Sequence, residues 1–449
     1  MAQQQSLPSQ PGGTSSDVGG TANAPAVPEE APSRRAGEEE IIVTGSRVRR
    51  KDLTTPAPVT VFTRQQLEES GRVTLGDFLQ LLPEQGNAPN FQLNNGGATY
   101  SADGSTQINL RNLGVTRTLV LVNGRRMVPA GVGASTAVDL NTIPIAAVEN
   151  VEVLKDGASA IYGSDAVAGV VNIITRKRYE GTQASATYGV SQRGDAETFD
   201  ANVTTGTAGS VGSLMFSAGY FKQGVSWLRD RSWSANALSY DYSNGSISPG
   251  GSFRTPQGTI GLPSNADGSP LSACMSNPKC AALVNSDPTW AADAFIRCDP
   301  TTDPACNLRT SPGGPFVGFR LMTDADRFNF AAANYLTIPS ERIQVYSSGE
   351  TRFGGNLVRG YYEASYVQRN SSQNAAPMPL NPGDYTLPGS NVPISLSAQS
   401  IYNPFGVDLP FAGRRLVEFG NREYKEDLGT LRLVTGIDGS LPESMGPLQ

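Results

Sequence analysis

Histidine is absent from the 449-residue sequence, and this absence excludes several kinds of catalytic site. Without an imidazole, neither a Ser-His-Asp triad nor a Cys-His pair can form. The glycine-rich string from Gly131 departs from the dinucleotide-binding pattern at Thr136, and the sequence has no P-loop motif. Carboxylates are plentiful, but no spacing singles out a glycosidase pair. The sequence therefore predicts a protein that is not an enzyme and uses no cofactor.

Basic residues are also too few to give a positively charged chain. There are 35 lysines and arginines against 41 aspartates and glutamates, which gives a formal net charge of −6 and a pI near 5.0. A nucleic-acid partner would need a basic face that neutralises phosphates. The charge balance therefore excludes nucleic acid as a partner.

Long apolar runs are missing as well. No stretch of about 18 apolar residues occurs, so the sequence predicts no transmembrane helix. Apolar residues make up 38% of the chain and the mean hydropathy is −0.28. These values are compatible with a transmembrane β-barrel, because alternating strands give a weak hydropathy signal. Residues 1–10 lack the basic and apolar regions of a signal peptide, so an export signal is expected to have been removed or to lie outside this sequence.

Only four cysteines occur, and all lie in one polar segment: Cys274, Cys280, Cys298 and Cys306. Zinc sites usually have more closely spaced cysteine pairs and often include a histidine. We therefore predict two disulfides in a long loop, which implies an oxidising compartment. Three pairings are possible, and the local one, Cys274 with Cys280 and Cys298 with Cys306, is favoured. Four reduced surface thiols are the alternative.

Composition divides the chain into three parts. Residues 1–38 are rich in Gln, Ser, Pro and Gly and have few large apolar side chains to offset the entropy of ordering, which predicts a disordered tail. Within residues 39–178, short apolar runs alternate with capped helices, as in a small α+β domain. Residues 179–449 instead show the period-2 pattern of long strands separated by polar loops.

Local signals place the elements of the α+β domain. Two helices are predicted to open with capping boxes, the first at Thr63 with Gln66 and the second at Thr74 with Asp77. The second helix carries an apolar face that ends at Leu82. Strands are predicted at 59–62, 108–110, 118–122, 151–154 and 167–175.

The connections between these elements also have clear signals. Asn123-Gly124 is typical of a two-residue type I′ hairpin turn. Residues 85–104 are polar and rich in Asn and Gly, which predicts a long exposed loop. Phe91 and Tyr100 in that loop either pin it to its own domain or contact a ligand, and the residues alone leave both possibilities open.

Alternation is clearest in residues 212–221. Leu214 and Phe216 fall on one face of the predicted strand, while Ser213 and Met215 fall on the other. One apolar face and one polar face suit a barrel wall between lipid and a polar lumen, although a soluble β-sandwich gives the same alternation. Further strands are predicted at 358–367, 414–424 and 428–437, and long loops at 227–316 and 377–411.

Three segments together resemble one protein family. They are INLRNLG at 108–114, TLVLVNGRRM at 118–127 and ENVEVLKDGASAIYGSDAVAGVVNIITRKR at 149–178. In this order they closely resemble the plug domain of TonB-dependent outer-membrane receptors. The resemblance implies an α+β plug at 39–178, followed at 179–449 by an antiparallel transmembrane β-barrel with long extracellular loops. Such a barrel closes with about 22 strands, and residues 179–449 hold about half of them, so a truncated barrel is expected.

The resemblance also implies roles for individual residues. Glu40, Ile41, Ile42, Val43, Thr44 and Gly45 resemble the TonB box, which pairs edge to edge with a strand of periplasmic TonB. On the residues alone, an ordinary first strand of the domain is equally compatible. Arg111, Glu149 and Glu152 match positions that pair with charges on the inner barrel wall, although Asn112 replaces the usual glycine. Phe91, Asn94, Asn95 and Tyr100 lie in a loop that would face the substrate.

The function implied by the resemblance is energy-coupled uptake. Such a receptor sits in outer-membrane lipid of a Gram-negative cell and imports a scarce substrate to the periplasm with energy delivered by TonB. A siderophore, vitamin, oligosaccharide or peptide would each fit. One alternative is a TonB-linked signalling receptor, although residues 1–38 are too short and polar for the extra domain it needs. The other is a soluble periplasmic binding or adhesion module made of the plug and a β-sandwich.

Overall fold

The computed structural model describes most of the chain from residue 59 onward. The described residues are 59–86, 88, 104–129, 137–261, 272–276, 278, 281, 285, 295–298, 319–353, 358–390, 392–400, 408–409 and 411–439. Within them, no helix is both long enough and apolar enough to cross a bilayer.

The elements within residues 59–176 form an N-terminal unit. In chain order they are β1 (Val59–Thr63), α1 (Arg64–Glu69), α2 (Leu75–Leu79), β2 (Thr118–Val122), β3 (Arg125–Arg126), β4 (Val148–Leu154), α3 (Ser159–Tyr162) and β5 (Gly169–Thr175). Short 3₁₀ turns lie at Val115–Arg117, Leu140–Thr142, Ile145–Ala147 and Ser164–Ala166.

The remaining elements are almost all strands. In chain order they are β6 (Gly181–Gly189), β7 (Thr198–Ala208), β8 (Gly212–Gln223), β9 (Ser226–Trp227), β10 (Leu238–Asp241), β11 (Ser246–Pro249), β12 (Thr259–Gly261), α4 (Ser272–Ser276), β13 (Phe295–Cys298), β14 (Phe319–Leu321), β15 (Tyr335–Thr337), β16 (Ser340–Phe353), β17 (Val358–Ala375), β18 (Pro379–Leu380), β19 (Phe411–Arg415) and β20 (Arg422–Gly439).

A five-stranded sheet forms the centre of the N-terminal unit, with the order β1-β4-β5-β2-β3. β2 and β5 run parallel, and the other pairs are antiparallel. One face of this sheet joins α1 and α2 in the main core cluster, where Leu67 and Leu75 are buried. Phe62 meets Phe78 edge to face, with 5.3 Å between the ring centroids. Burial of these side chains is the main term that holds the helices on the sheet.

Both predicted helix starts are confirmed by the capping hydrogen bonds. The Thr63 side chain accepts from the Gln66 amide, and the Gln66 side chain accepts from the Thr63 amide at 2.9 Å. The Thr74 hydroxyl accepts from the Asp77 amide at 3.1 Å. α2 ends at Leu79, three residues earlier than its apolar pattern suggested, although Leu82 is still buried in the core.

The strand predicted at 108–110 does not form, and this prediction was wrong. Leu110 makes only an isolated bridge to Gln85. The backbone donors of this segment are satisfied by side chains instead, because the Leu110 amide donates to Thr118 Oγ1 at 3.0 Å and the Asn109 amide donates to Gln85 Oε1 at 3.0 Å. An apolar extended segment therefore packs into the core without joining the sheet.

The predicted hairpin turn is confirmed by its dihedral angles. Asn123 and Gly124 have φ values of 52° and 74°, as a type I′ turn requires. β5 begins at Gly169, two residues later than expected. A Cβ at Gly169 would lie 2.4 Å from the Leu154 carbonyl oxygen, so only glycine allows β5 to pack this closely against β4.

A six-stranded antiparallel sheet follows the N-terminal unit, with the order β20-β17-β16-β8-β7-β6. Its edges within the described residues are β6 and β20. Leu214 is 51% exposed while its neighbour Met215 is fully buried, and this alternation continues along the strands. The buried face lies against the N-terminal unit. An α+β unit followed by long antiparallel strands confirms the predicted fold class.

Two long inserts leave the same end of this sheet. The first runs from β8 to β16 and the second from β17 to β20. Strands from both inserts combine into one small sheet with the order β14-β13-β12-β19-β18. The strand predicted at 414–424 was wrong, whereas the strand predicted at 428–437 lies within β20. A 3₁₀ turn at Val417–Phe419, closed by Gly420 at φ 75°, separates β19 from β20, and β20 then runs without a break from Arg422 to Gly439.

Candidate functional site

A buried ion pair joins the N-terminal unit to the six-stranded sheet. Arg369 on β17 places its Nε 3.2 Å from Asp139 Oδ2, and the two side chains are 1% and 0% exposed. Asp139 Oδ1 accepts from the amides of Thr106 and Asn141 at 2.9 Å and 3.0 Å. Burial raises the pKa of the Asp139 carboxyl above its ordinary value, and Arg369 and the two amides oppose that rise. The carboxylate is therefore held in one orientation.

Arg369 also contacts the sheet around it. Its guanidinium lies 3.0 Å from Glu426 Oε2 on β20 and donates to Ser371 Oγ at 2.7 Å. Gly104 of the N-terminal unit sits directly over these groups. A Cβ at Gly104 would be 2.4 Å from Ser371 Oγ and 2.6 Å from Arg369 Nη1, so glycine is required for this close approach.

A second buried arginine binds the turn that follows Asp139. Arg342 on β16 donates from Nη1 to the Asn141 carbonyl oxygen at 3.3 Å and to Asn141 Oδ1 at 3.1 Å. Its guanidinium lies 4.8 Å from the centroid of the Phe221 ring on β8. Arg342 thus binds the N-terminal unit through one side-chain amide and one carbonyl while its apolar stem packs against the sheet.

The hairpin turn of the N-terminal unit docks on Glu363 of β17. Asn123 Nδ2 donates to Glu363 Oε1 at 2.8 Å, and Arg432 Nη1 on β20 donates to Glu363 Oε2 at 2.7 Å. Arg125, just after the turn, donates to the Tyr361 hydroxyl at 2.5 Å. One carboxylate therefore bridges the turn to the neighbouring strand.

The end of β5 makes a further contact with the sheet. Tyr346 on β16 donates its hydroxyl proton to Thr175 Oγ1 at 2.9 Å. Ala147, Met215 and Tyr346 form a small buried apolar cluster, with Tyr179 packed against it. This apolar contact is small beside the polar contacts made by Arg342, Glu363 and Arg369.

The composition of the interface determines what it can do. Replacing a buried ion pair by apolar groups often costs little, whereas removing one partner costs about 3–5 kcal/mol, so such pairs contribute orientation more than net stability. Buried polar groups also regain hydrogen bonds to water when surfaces separate. The interface therefore fixes the orientation of the N-terminal unit through contacts that water can replace.

The three residues predicted to lock the unit have other contacts. Arg111 is exposed and donates to the carbonyl oxygens of Val167 and Ala168 at 3.0 Å and 3.2 Å. Glu149 lies 3.7 Å from Arg176 Nε. These contacts are internal to the N-terminal unit, and pairing with the inner wall stays a prediction for both residues.

Glu152 is connected to the hairpin turn at Asn123-Gly124 through hydrogen bonds. It is buried and accepts from Asn172 Nδ2 at 3.2 Å. Asn172 Oδ1 in turn accepts from the Gly124 amide at 2.9 Å. Glu152 is therefore linked through one side chain to the turn that contacts Glu363, and its predicted pairing with a wall charge stays a prediction.

The other predicted site residues lie mainly outside the described residues. This holds for Glu40, Ile41, Ile42, Val43, Thr44, Gly45, Phe91, Asn94, Asn95, Tyr100, Cys280 and Cys306. Cys274 lies in α4 and Cys298 lies in β13, but the structure describes only the backbone of these two residues. The TonB box, the substrate loop and the disulfides therefore stay predictions.

The docking residues Asp139, Arg342, Glu363 and Arg369 were not identified from the sequence as docking residues. A usable signal does exist on the strands, because Glu363 and Arg369 share the parity of the polar face of β17. Charged residues on the inward face of a strand need a partner, which makes them candidates for contact with another unit. Asp139 offers no comparable signal, since an Asp before a short turn is usually only a cap.

Comparison with known proteins matches the N-terminal part of the chain to a known domain family. Residues 51–170 match the family model of the TonB-dependent receptor plug domain. The fold and the docking surface thus define a plug-type α+β domain held against the polar face of an antiparallel sheet. Over residues 51–170, the chain therefore carries a plug domain of the kind found in TonB-dependent receptors.

Several solved structures resemble the chain at low identity. The siderophore receptor PirA from Acinetobacter baumannii is 18% identical, with a TM-score of 0.33, and the match covers 84% of this chain and 44% of that one. A ferric enterobactin receptor from Pseudomonas aeruginosa is 14% identical, with a TM-score of 0.36 and coverage of 71% and 42%. The ferric citrate transporter FecA is 13% identical, with a TM-score of 0.32, and the match covers 72% of this chain and 42% of that one. This chain thus spans less than half the length of these three receptors.

Proposed function

We propose that the protein is an outer-membrane receptor that imports a scarce extracellular substrate to the periplasm with energy delivered by TonB. In this proposal, residues 1–38 are a periplasmic tail, 39–178 the plug, and 179–449 transmembrane strands with long extracellular loops. The observation that carries the proposal is the buried pair between Asp139 of the plug and Arg369 of the sheet. It places the plug against the polar face of strands whose other face is apolar.

The outward face of the same strands supports a membrane location. Exposed apolar side chains alternate there with the buried polar ones, and they include Phe216, Ile343, Tyr366, Leu431, Leu433 and Ile437. An outward apolar band and an inward polar face are what a strand between lipid and a polar lumen requires. A soluble protein would instead leave this large apolar surface in contact with water.

The polar docking surface supports a plug that moves. An apolar core between plug and wall would make separation costly in proportion to the area exposed. Here the described contacts are mainly ion pairs and hydrogen bonds that water can replace. We place the TonB box at Glu40, Ile41, Ile42, Val43, Thr44 and Gly45, where strand addition by TonB would apply the force that rearranges the plug.

Fractionation and uptake assays test this proposal. The full-length protein is expected in the outer-membrane fraction, and a strain lacking it should fail to grow on one of several supplied nutrients: a siderophore, a vitamin, an oligosaccharide or a peptide. Accumulation of that nutrient should stop when an uncoupler removes the proton-motive force, while surface binding continues. Recovery in the soluble periplasm would favour the alternative of a binding module with a β-sandwich, and uptake insensitive to the uncoupler would exclude coupling through TonB.

A further inference from the structure

A cavity lies between the two long inserts, at the loop end of the six-stranded sheet. Its volume is about 390 Å³, within the range of small-molecule sites. The side chains that matter for its chemistry are three arginines and three phenylalanines: Arg254, Arg415, Arg422, Phe253, Phe330 and Phe411. None of them belongs to the plug interface described above.

Backbone carbonyls fix two of the arginines in place. Arg415 at the end of β19 is 4% exposed and donates from Nη1 to the Pro377 carbonyl oxygen at 2.8 Å. Arg422 at the start of β20 donates from Nε to the Ala376 carbonyl oxygen at 2.8 Å. Each guanidinium thus has its orientation set by the strands, while further N–H groups stay available for a ligand.

Positive charge in the cavity is only partly balanced. Arg254 pairs with both oxygens of Asp384 at 2.8 Å. Arg415 and Arg422 form no ion pair with any described residue, and Arg254 Nε is buried without a hydrogen-bond acceptor among the described residues. Burial, followed by the charges of Arg422 and Arg254, lowers the pKa of Arg415 to about 10, so it remains charged at neutral pH.

Aromatic rings form the rest of the cavity wall. The Arg254 guanidinium lies 5.3 Å from the centroid of the Phe411 ring. Gly413 allows this packing, because a Cβ there would lie 2.6 Å from Phe411 Cζ and 2.9 Å from Arg254 Cγ. The cavity therefore presents guanidinium groups beside apolar ring faces, an arrangement that suits a ligand with an anionic end and a flat apolar body.

The cavity lies on the plug side of the sheet. Arg422 shares its strand parity with Glu426 and Arg432 on β20, whose side chains contact Arg369 and Glu363 on the inward face. A ligand in the cavity would thus be on the lumen side at the loop end, where a substrate from outside would arrive first.

We propose that this cavity binds an aromatic carboxylate, with Arg415 and Arg422 holding the carboxylate and Phe253, Phe330 and Phe411 packing against the ring. The assignment rests on the proposed uptake function for the origin of the ligand, and it adds a substrate class to that function. Guanidinium groups bind a carboxylate through paired, charge-assisted hydrogen bonds. Flat ring faces favour an aromatic body over a saturated one.

The test is a calorimetric titration of the purified full-length protein in detergent with naphthalene-2-carboxylate. Naphthalene-2-methanol, which lacks the charge, and cyclohexanecarboxylate, which lacks the aromatic ring, serve as matched probes. Naphthalene-2-carboxylate should bind, and the affinity of each matched probe should be lower by a factor of about 10 or more. Equal binding of the neutral alcohol would overturn the role of the arginines, and equal binding of the saturated acid would overturn the role of the rings.

Variants locate the binding in this cavity. Arg422→Gln should lower the affinity for naphthalene-2-carboxylate about 10-fold or more. Arg422→Lys should lower it less, because the charge is kept. Arg229→Gln is the matched control, since Arg229 lies in the first insert over Trp227 and outside the cavity. Arg254→Gln gives a second test if Arg422→Gln does not fold. Unchanged binding in a folded cavity variant, or an equal loss in the control, would overturn the proposal.

The result is independent of the uptake assay. Binding is measured without TonB and without an energised membrane. Intact carboxylate binding with uptake insensitive to the uncoupler would contradict the proposed function and leave the site standing. Energy-dependent uptake of another nutrient, with no carboxylate binding by the purified protein, would overturn the site and leave the function standing.

Discussion

Arg369 of β17 and Asp139 of the plug form an ion pair that is buried on both sides, with 3.2 Å between Nε and Oδ2. Glu426 shares the same guanidinium at 3.0 Å. Two carboxylates therefore depend on one arginine, and one of them belongs to a different domain. This geometry makes Arg369 the residue whose loss should most affect docking of the plug.

Replacing Arg369 by leucine should destabilise the protein by about 3–5 kcal/mol, because Asp139 would be left buried without its cation. Thermal unfolding of the detergent-purified protein measures this loss. Lys425→Gln is the matched control, since Lys425 is an exposed residue of the neighbouring strand paired with Glu423, and it should change stability by less than about 1 kcal/mol. Similar melting temperatures for the two variants would show that the buried pair does not hold the plug.

Asp77 should make plug stability depend on pH. Burial raises the pKa of its carboxyl from 3.8 to about 6, and the Thr74 hydroxyl opposes the rise. The folded state then binds more protons than the unfolded state between these values, so stability falls as pH rises through that window. Asp77→Asn removes this titration. The free energy of unfolding of the variant, relative to that of the wild type, should therefore rise by up to about 3 kcal/mol between about pH 4 and about pH 7. A stability difference that stays constant over this range would contradict the assignment.

Gly104 should be intolerant of a side chain for a reason beyond its backbone angle. Gly104→Ala adds both the strain of a positive φ and a clash with Ser371 and Arg369. Gly71→Ala is the matched control, because Gly71 also has a positive φ but has no atom within 4 Å of the added Cβ. Gly71→Ala should lower the free energy of unfolding by about 1–2 kcal/mol. Gly104→Ala should lower it clearly more and should also speed proteolysis of the plug. Equal costs would mean that the plug can shift to remove the clash.

Local sequence signals predicted the parts of the plug that depend on near neighbours. The capping box at Thr63 and the turn at Asn123-Gly124 form as expected, because each is satisfied within a few residues. The segment around Leu110 failed for the opposite reason. Its apolar pattern is typical of a strand, but Thr118 Oγ1 accepts the hydrogen bond of its amide. Periodicity reports burial and carries no information on the hydrogen-bond partner.

The pairing across the docking surface could not be predicted, because the paired residues are distant in the sequence. Asp139 looks like the cap of a short turn, and its Oδ1 does accept from the amide of Asn141 two residues later. Its second oxygen faces Arg369 only after both domains have folded. Arg111 shows the converse problem, since the family resemblance implies a contact with the wall while its described hydrogen bonds go to Val167 and Ala168.

The four cysteines give a prediction that needs no structure of their loop. Cys274, Cys280, Cys298 and Cys306 should resist alkylation in the exported protein until a reductant is added, because an oxidising compartment favours disulfides. Mass spectrometry of alkylated peptides before and after reduction measures this, and proteolysis between the cysteines identifies the pairing. Labelling of all four without reductant would support the alternative of free thiols.

Coupling to TonB is the central claim, and Ile42→Pro in the full-length protein tests it most directly. Proline removes a backbone donor and fixes φ, so it should disrupt strand addition, whereas Ile42→Val keeps the backbone and serves as the control. Surface binding of the substrate and its energy-dependent uptake are measured separately in the same cells. The account predicts that Ile42→Pro binds substrate normally and imports none, while Ile42→Val does both. Uptake by Ile42→Pro at the wild-type rate, or loss of binding in parallel with uptake, would contradict it.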